Sequence, residues 1–247
     1  MAPQQWVDGP WKLLETPGNT RDPKSHGAIH CANEMAHIHN CILRGMNSIY
    51  LQAPYVRLPA DITDILFYIK AWCDFVHHHH QVEEDIAFPE IEAFTGQPGC
   101  MCGNLEQHHV FEPCIARLEA YGRETKVESY SGARVRELVQ DLGDVLRQHL
   151  ADEILTMVAL EKFPSKGIMK IFKKCEKAAF EYPKELAMPM VLGLCDSTYE
   201  EGKHVFPPVP GFARYLVHYW YRRTHQGAWR FLPCDMWGMP QPLQFVE

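Results

Sequence analysis

The densest group of side chains able to do chemistry lies in residues 77–89, which read HHHHQVEEDIAFP. Along a helix, side chains four residues apart share a face, so His79 would face Glu83 and His80 would face Glu84. A neutral imidazole and a carboxylate that point together into a helical bundle form half of a site for a first-row transition metal. The stretch therefore predicts metal binding.

The apolar pattern upstream indicates which pair points inward. Residues spaced alternately four and three apart lie in one row along a helix, and we call the row that faces the bundle interior a seam. The seam of this segment is Ile65, Ile69, Trp72, Val76, His79, Glu83 and Ile86. The neighbouring register contains Lys70 and more polar residues, which is typical of an outer face. We therefore expect His79 and Glu83 to point inward, and His80 and Glu84 to point outward.

Four long amphipathic segments carry such seams. They cover residues 24–52, 61–89, 104–121 and 132–163. Asp61, which follows Pro59, is a good N-cap for the second segment. Four amphipathic helices joined by short or moderate loops favour an antiparallel up-down four-helix bundle, an all-α fold.

Each predicted helix places one histidine on its seam, and two place a carboxylate one turn later. The inward set is His39, His79, Glu83, His108, His149 and Glu153. No lysine or arginine shares these seams, so burying this polar layer would be costly unless something neutralised it. A metal centre would do so. Glu112, four residues after His108, lies beside the seam and is a candidate seventh ligand.

The donors indicate which metal. Six ligands exceed what one tetrahedral zinc ion uses, and no thiolate lies on the seams. Mixed imidazole and carboxylate donors suit iron, with manganese or zinc as alternatives, and six ligands on four helices fit two ions that share carboxylates. Ferritin-like sites use Glu-x-x-His pairs, whereas Glu106 and His109, which have that spacing, lie off the seam.

The segments outside the bundle differ in composition. Residues 1–24 are rich in proline and glycine, which predicts an extended N-terminal arm. Residues 164–247 contain a basic amphipathic stretch at 166–182, several prolines and an aromatic-rich stretch at 212–223. We predict an arm over 1–24, a bundle over 25–163, and a C-terminal helical and irregular extension over 164–247 that packs on the bundle.

Bulk composition restricts the partners. The formal charge of −7 and the pI near 6.0 disfavour nucleic acid and anionic membranes. No apolar run approaches the roughly 20 residues that span a bilayer. The first residues lack the basic and apolar regions of a secretory signal, and nine cysteines, an odd number, fit reduced thiols. We therefore expect a cytoplasmic protein.

These residues resemble the hemerythrin-like (HHE cation-binding) family. The motifs are HN at 39–40, HHxxEExxxFP at 79–89, ExH at 106–108 and HLxxE at 149–153. The resemblance is closest to the fungal branch, in which GPWKL at 9–13, RGMNSIYLQAP at 44–54 and AWRFLPCD at 228–235 also recur. It implies a four-helix bundle with a non-haem di-iron centre bridged by Glu83, Glu153 and an oxygen species.

The sequence departs from the oxygen-carrying members, which have five histidines and two carboxylates. Here the third helix reads His108-x-x-x-Glu112, where those members have a second histidine. The expected imidazoles fall to four and a third carboxylate is added. The site is then similar to the hemerythrin-like domain of the iron-sensing ubiquitin-ligase subunit and approaches di-iron oxidases. More anionic oxygen donors stabilise ferric iron, which disfavours easy reversible oxygen release.

The sequence thus predicts an enzyme, a di-iron oxidase or oxygenase that reduces dioxygen and oxidises a small organic substrate. In this hypothesis Glu112 is a terminal ligand or proton shuttle, and the aromatic extension forms a lid over a pocket. The alternative is a binding protein, an oxygen or iron sensor, buffer or carrier, because fold and metal do not fix function. A third interpretation is a structural bundle that takes up adventitious metal.

Overall fold

The computed structural model describes residues 6–246, and helices form most of that range. Their bounds are α1 Pro17–Thr20, α2 Gly27–Gln52, α3 Pro59–Val82, α4 Phe88–Thr95, α5 Cys102–Glu124, α6 Gly132–Ala159, α7 Ser165–Ala179, α8 Lys184–Leu194 and α9 Gly211–Tyr219. Within these described residues no strand forms, so the predicted all-α class is confirmed. Residues 1–5 of the predicted arm lie outside the described range.

The four long helices α2, α3, α5 and α6 form the predicted antiparallel bundle. Helix α2 packs on α6, α6 on α5, and α5 on α3. Short connections join successive helices, so each runs back along its predecessor. The seams fill the core, where Ile42, Trp72, Ile115 and Leu146 are fully buried. None of the helices in the described range combines the length and apolar composition needed to cross a bilayer.

Helix α3 begins two residues earlier than the sequence predicts. Pro59 is its first residue, and Leu58 occupies the N-cap position without a capping hydrogen bond from its side chain. Asp61 lies in the first turn and accepts a hydrogen bond from Arg230 Nη2 at 2.6 Å. The prediction that Asp61 is the N-cap is therefore wrong. Its carboxylate instead holds the C-terminal extension to the start of α3.

A π-helical turn, Glu83–Ala87, joins α3 to α4. Pro89 follows it, and a proline has no N–H to donate to the preceding turn and crowds the carbonyl four residues back. The turn widens, and Phe88 N–H bonds to the Glu83 carbonyl oxygen five residues earlier. Such turns recur at functional sites. Here the widened turn begins at Glu83, one of the predicted ligands.

Helices α2 and α3 contact each other only loosely, and α7 packs against both. Helix α8 packs on α2 as well. The described part of the N-terminal arm lies along α2, where Asn40 accepts a hydrogen bond from Leu14 N at 2.8 Å and donates one to Leu14 O at 2.9 Å. Helices α7 and α8 of the extension therefore cover the opening between α2 and α3. The division of the chain into arm, bundle and extension stays a prediction.

Candidate metal centre

The structure brings the six seam residues together in the bundle interior and adds a seventh, His80. The seven side chains form two groups of possible ligand atoms that lie within 4.8 Å of one another. The carboxylate-rich group is His39, His79, Glu83 and Glu153; the histidine-rich group is His80, Glu83, His108 and His149. Glu83 belongs to both groups, so its two oxygens are placed to bridge two ions.

All four bundle helices contribute to these groups. Helix α2 supplies His39, α3 supplies His79 and His80, the π turn supplies Glu83, α5 supplies His108, and α6 supplies His149 and Glu153. Six of the seven residues are buried, and His79 is partly exposed. The polar layer lies where the four seams face one another. The spacing of these residues along each helix therefore places their side chains next to one another.

Within the carboxylate-rich group, His79 Nε2 lies 3.0 Å from Glu83 Oε1, and His39 Nε2 lies 3.3 Å from Glu153 Oε2. Within the histidine-rich group, His108 Nε2 lies 3.6 Å from Glu83 Oε2. Glu153 Oε2 is also 3.8 Å from His149 Nε2, so Glu153 borders the second group. These separations are typical of donors around a cation.

Hydrogen bonds at the outer ring nitrogens fix which nitrogen faces inward. His39 Nδ1 donates to the Leu150 carbonyl oxygen at 2.9 Å, and His108 Nδ1 donates to Glu84 Oε1 at 2.7 Å. Carbonyl and carboxylate oxygens only accept, so the proton is on Nδ1 in each ring. Each Nε2 then turns an unprotonated lone pair to the interior, as metal ligands require.

His149 is oriented by a relay from α5. Its Nδ1 donates to Gln107 Oε1 at 3.2 Å, while Gln107 Nε2 donates to Asp152 Oδ2 at 2.8 Å. The Nε2 atoms of His108 and His149, both unprotonated by this reasoning, lie only 3.1 Å apart. Two lone pairs repel at that distance, and a cation between the rings and Glu83 would remove the repulsion.

Seven buried polar atoms without hydrogen bonds in the described range indicate whether the site fits metal ions. The Nε2 atoms of His39, His79 and His80 and all four carboxylate oxygens of Glu83 and Glu153 are buried without a hydrogen-bond partner among the described residues. Each unsatisfied buried polar atom costs about 1–3 kcal/mol, and more when charged. Imidazole nitrogens and carboxylate oxygens are suitable ligands for iron, manganese or zinc. The donors therefore fit a pair of cations.

Burial shifts the ionisation of the layer toward metal-binding forms. It lowers the pKa of His79 to about 4 and that of His149 to about 3, so both rings are neutral at pH 7. Burial and the charge of Glu153 raise the pKa of Glu83. Bound cations would counter the raised pKa of Glu83 and release its proton.

We expect the metal-free protein to lose stability on acidification. Imidazoles titrate near 6.5 when unfolded, whereas burial keeps the folded pKa of His79, His80 and His149 below that value. The unfolded chain therefore binds more protons, and stability falls as pH drops below 6.5. Glu83 acts in the opposite sense, because its folded pKa is raised. Urea unfolding of chelator-treated protein should show a net loss of about 3 kcal/mol between pH 6.5 and 5.

A Glu83→Gln variant provides the comparison for this pH dependence. Removing this carboxyl, which opposes the imidazoles, should make the loss of stability on acidification steeper than in the wild type. A free energy of unfolding that stays constant over this pH range in both proteins would contradict the assigned burial of the three rings.

The prediction that His80 points outward is wrong. Its side chain is buried, and its ring contacts Phe111 with centroids 4.8 Å apart. The buried arc of α3 is wider than one seam, because α5 packs closely along the side of α3 that carries His80. Leu66 and Cys73, in the register of His80, are buried too. The single Lys70 in that register was therefore a poor marker of a solvated face.

Glu112 does not join the layer. It is exposed on α5, beside the buried Phe111, and belongs to neither ligand group. Its predicted role as terminal ligand or proton shuttle does not agree with this position. Glu84, predicted to point outward, is partly exposed but bonds to His108. With His80 included and Glu112 excluded, the interior donors are five imidazoles and two carboxylates.

A cavity of about 270 Å³ adjoins the carboxylate-rich group. It lies between α2 and α3 beneath α7 and α8, with His79, Glu83 and Glu153 in its wall. Most of the remaining lining is apolar and includes Ile38, Phe75, Phe88, Ile91, Met157 and Ile171. An apolar chamber with a few converging polar groups is typical of small-molecule sites.

Comparison with known proteins agrees with this geometry. The model of the hemerythrin HHE cation-binding domain matches residues 31–160. The "Dimeric xanthone biosynthesis cluster protein R11" of Cryptosporiopsis sp. (strain 8999) is 41% identical over 249 residues, covering 100% of this chain and 95% of the relative. No solved structure matches the chain. From the family match and the similarity over the whole chain, the protein is a member of the hemerythrin HHE cation-binding domain family.

Proposed function

We propose that the protein is a non-haem di-iron oxidase or oxygenase that acts on a small, largely apolar organic substrate. The observation that carries this proposal is the cavity, because His79, Glu83 and Glu153 form part of its wall. A carrier of dioxygen needs space for two atoms only. A chamber of about 270 Å³ beside the ligands has room for an organic molecule.

Two iron ions would occupy the two groups, with manganese or zinc as alternatives that the same donors accept. His39, His79 and Glu153 would hold one ion, His80, His108 and His149 would hold the other, and Glu83 would be shared. Bound iron supplies the reduction of dioxygen and the oxidising power.

The chain itself would orient the imidazole ligands, exclude water from the substrate and supply a proton. Leu150 O, Glu84 and Gln107 orient three of the imidazoles. The apolar wall would exclude water from a bound substrate. Burial raises the pKa of Glu34, in the same wall, to about 7, so its carboxyl can hold or release a proton near neutral pH.

The relative supports an organic substrate. Its name places that protein in a dimeric xanthone biosynthesis cluster, and xanthones are flat aromatic ketones. A flat aromatic molecule suits an apolar chamber lined by Phe75, Phe88 and Phe172. We therefore propose an aromatic compound as the substrate of this chain.

The direct test is oxygen stoichiometry. Iron-loaded protein is reduced without air and then exposed to dioxygen, with and without a panel of aromatic compounds. Substrate-dependent oxygen uptake with an oxidised organic product supports the enzyme. A coloured adduct that returns to ferrous protein when oxygen is removed contradicts it.

One observation favours a second candidate, a reversible oxygen-binding protein. The interior donors are five imidazoles and two carboxylates, the composition expected of oxygen carriers. The third carboxylate that would disfavour oxygen release is absent from both groups, since Glu112 is exposed. The same stoichiometric experiment separates the two candidates.

Filling the cavity should separate catalysis from metal binding. Ala187 on α8 lines the chamber and lies outside the four helices that carry the ligands. An Ala187→Trp variant should keep wild-type iron content and lose substrate-dependent oxygen uptake by at least about tenfold, equivalent to ~1.4 kcal/mol of lost binding. The matched control is Ala116→Trp on the exposed face of α5, which should keep full activity. Full activity in Ala187→Trp would exclude the chamber as the substrate site.

A further inference from the structure

One imidazole in the cavity wall has no role in the ligand groups. His78 lines the chamber, and its Nε2 atom is buried without a hydrogen-bond partner among the described residues. Its neighbours differ from it: His77 Nε2 lies 3.4 Å from Glu119, whereas His79 and His80 belong to the ligand groups. An unpaired buried nitrogen is costly unless a bound molecule satisfies it.

Tyr182, a residue of the C-terminal extension, stacks on the ring of His78. The two ring centroids are 5.0 Å apart with an interplanar angle of 30°, and both residues line the cavity. Stacking of this kind restricts the orientation of the imidazole. Tyr182 follows α7, so the segment that covers the bundle opening also sets the position of His78.

The other polar groups of the chamber are less suited to recognise a neutral ligand inside it. Glu176 and Lys184 are exposed. Burial raises the pKa of Cys31 to about 12 and that of Cys175 to about 11, so both remain neutral thiols, which are weak hydrogen-bond partners. Apart from Glu34, the hydroxyl group of Tyr182 and the ligand groups, His78 is therefore the polar side chain of the chamber that is suited to hydrogen-bond a ligand.

We propose that His78 is a specificity-determining residue that hydrogen-bonds to a hydroxyl or carbonyl oxygen on a planar aromatic substrate. The inference rests on the proposed function, because it assigns the substrate class to the same cavity. The ring system of the substrate occupies the apolar space, and its oxygen pairs with His78 Nε2. A site that hydrogen-bonds a substrate group rejects analogues lacking that group, because its own polar atom is then left unpaired.

The test compares two probes that differ by one hydroxyl group, 2-naphthol and naphthalene. Binding is measured by calorimetry on the iron(II)-loaded protein without oxygen, so no turnover occurs. Wild-type protein should bind 2-naphthol about tenfold more tightly than naphthalene, as expected for one hydrogen bond in a buried site. Ala187→Trp should weaken binding of both probes, which places them in the cavity.

His78→Phe keeps an aromatic ring against Tyr182 and removes the hydrogen-bonding nitrogens. It should abolish the preference for 2-naphthol while leaving naphthalene affinity and iron content unchanged. His77→Phe is the matched control and should retain the preference, because His77 does not line the cavity. A preference that survives in His78→Phe, or failure of both probes to bind the wild type, would overturn the inference.

The binding result is independent of activity. A preference that depends on His78, without oxygen consumption on any aromatic compound, would support the recognition site and refute the oxidase. Oxidation of an aromatic compound with a preference that does not depend on His78 would support the oxidase and refute the recognition site.

Discussion

Replacing Glu83 with glutamine is expected to lower the iron content from about two ions per chain to less than one, because both ligand groups share this carboxylate. Glutamine has nearly the same shape, so the loss would report the missing charge rather than a cavity. Without a negative bridge, two cations held a few ångströms apart by mostly neutral imidazoles would repel each other. Metal analysis after loading under reducing conditions gives the measurement.

Glu112→Gln is the matched control for this substitution. It makes the same chemical change at an exposed carboxylate on α5 and should leave the iron content at its wild-type value. Wild-type iron in Glu83→Gln would show that the two ions, if present, do not depend on a bridging carboxylate. A loss of iron in Glu112→Gln would restore the ligand role that the exposed position of Glu112 opposes.

Replacing His80 with alanine should reduce the iron content to about one ion per chain, since only the histidine-rich group loses a donor. The remaining ion should stay with His39, His79, Glu83 and Glu153. The variant should also unfold more readily, because a buried side chain beside Phe111 is removed and His108 and His149 lose a bound cation. Metal analysis and thermal unfolding measure the two effects.

His109→Ala is the control, because His109 is exposed on α5 and belongs to neither group. Two ions per chain in His80→Ala would remove His80 from the ligand set. The donor count would then return to the four imidazoles that the sequence predicts, and the argument from composition for reversible oxygen binding would fail.

Helical periodicity was sufficient to predict the architecture and most of the interior layer. His39, His108 and His149 each lie at a position where an apolar residue would otherwise continue the seam, and the structure buries all three. Their meeting follows from the fold, because four seams of an antiparallel bundle face one axis. Their role as ligands stays a prediction until metal is measured.

Periodicity failed where tertiary packing changed the exposed face of a helix. His80 is buried because α5 and α6 close around it, with His108, Phe111 and His149 against its ring, which no pattern within α3 reveals. The π turn at Glu83 also departs from the regular spacing that the sequence argument assumed. Pro89 was the available signal, since a proline in a helical pattern disturbs the turn before it.

The orienting residues could not be found from local spacing at all. Glu84 and Gln107 act on histidines of other helices, His108 and His149 respectively. A hydrogen bond between helices depends on their relative rotation and height, which a sequence pattern gives only coarsely. Glu112 shows the same uncertainty, because at the edge of the α5 seam a small rotation decides between the interior and solvent.

The loose contact between α2 and α3 has a consequence for how this architecture can diversify. The members of the two ligand groups all belong to the bundle helices or the turn that follows α3, whereas much of the chamber's roof is built from α7 and α8. Sequence changes in residues 165–209 could therefore alter which molecule enters the chamber and leave the two ligand groups unchanged. Exchanging that stretch between relatives would test whether it sets which molecules the chamber admits.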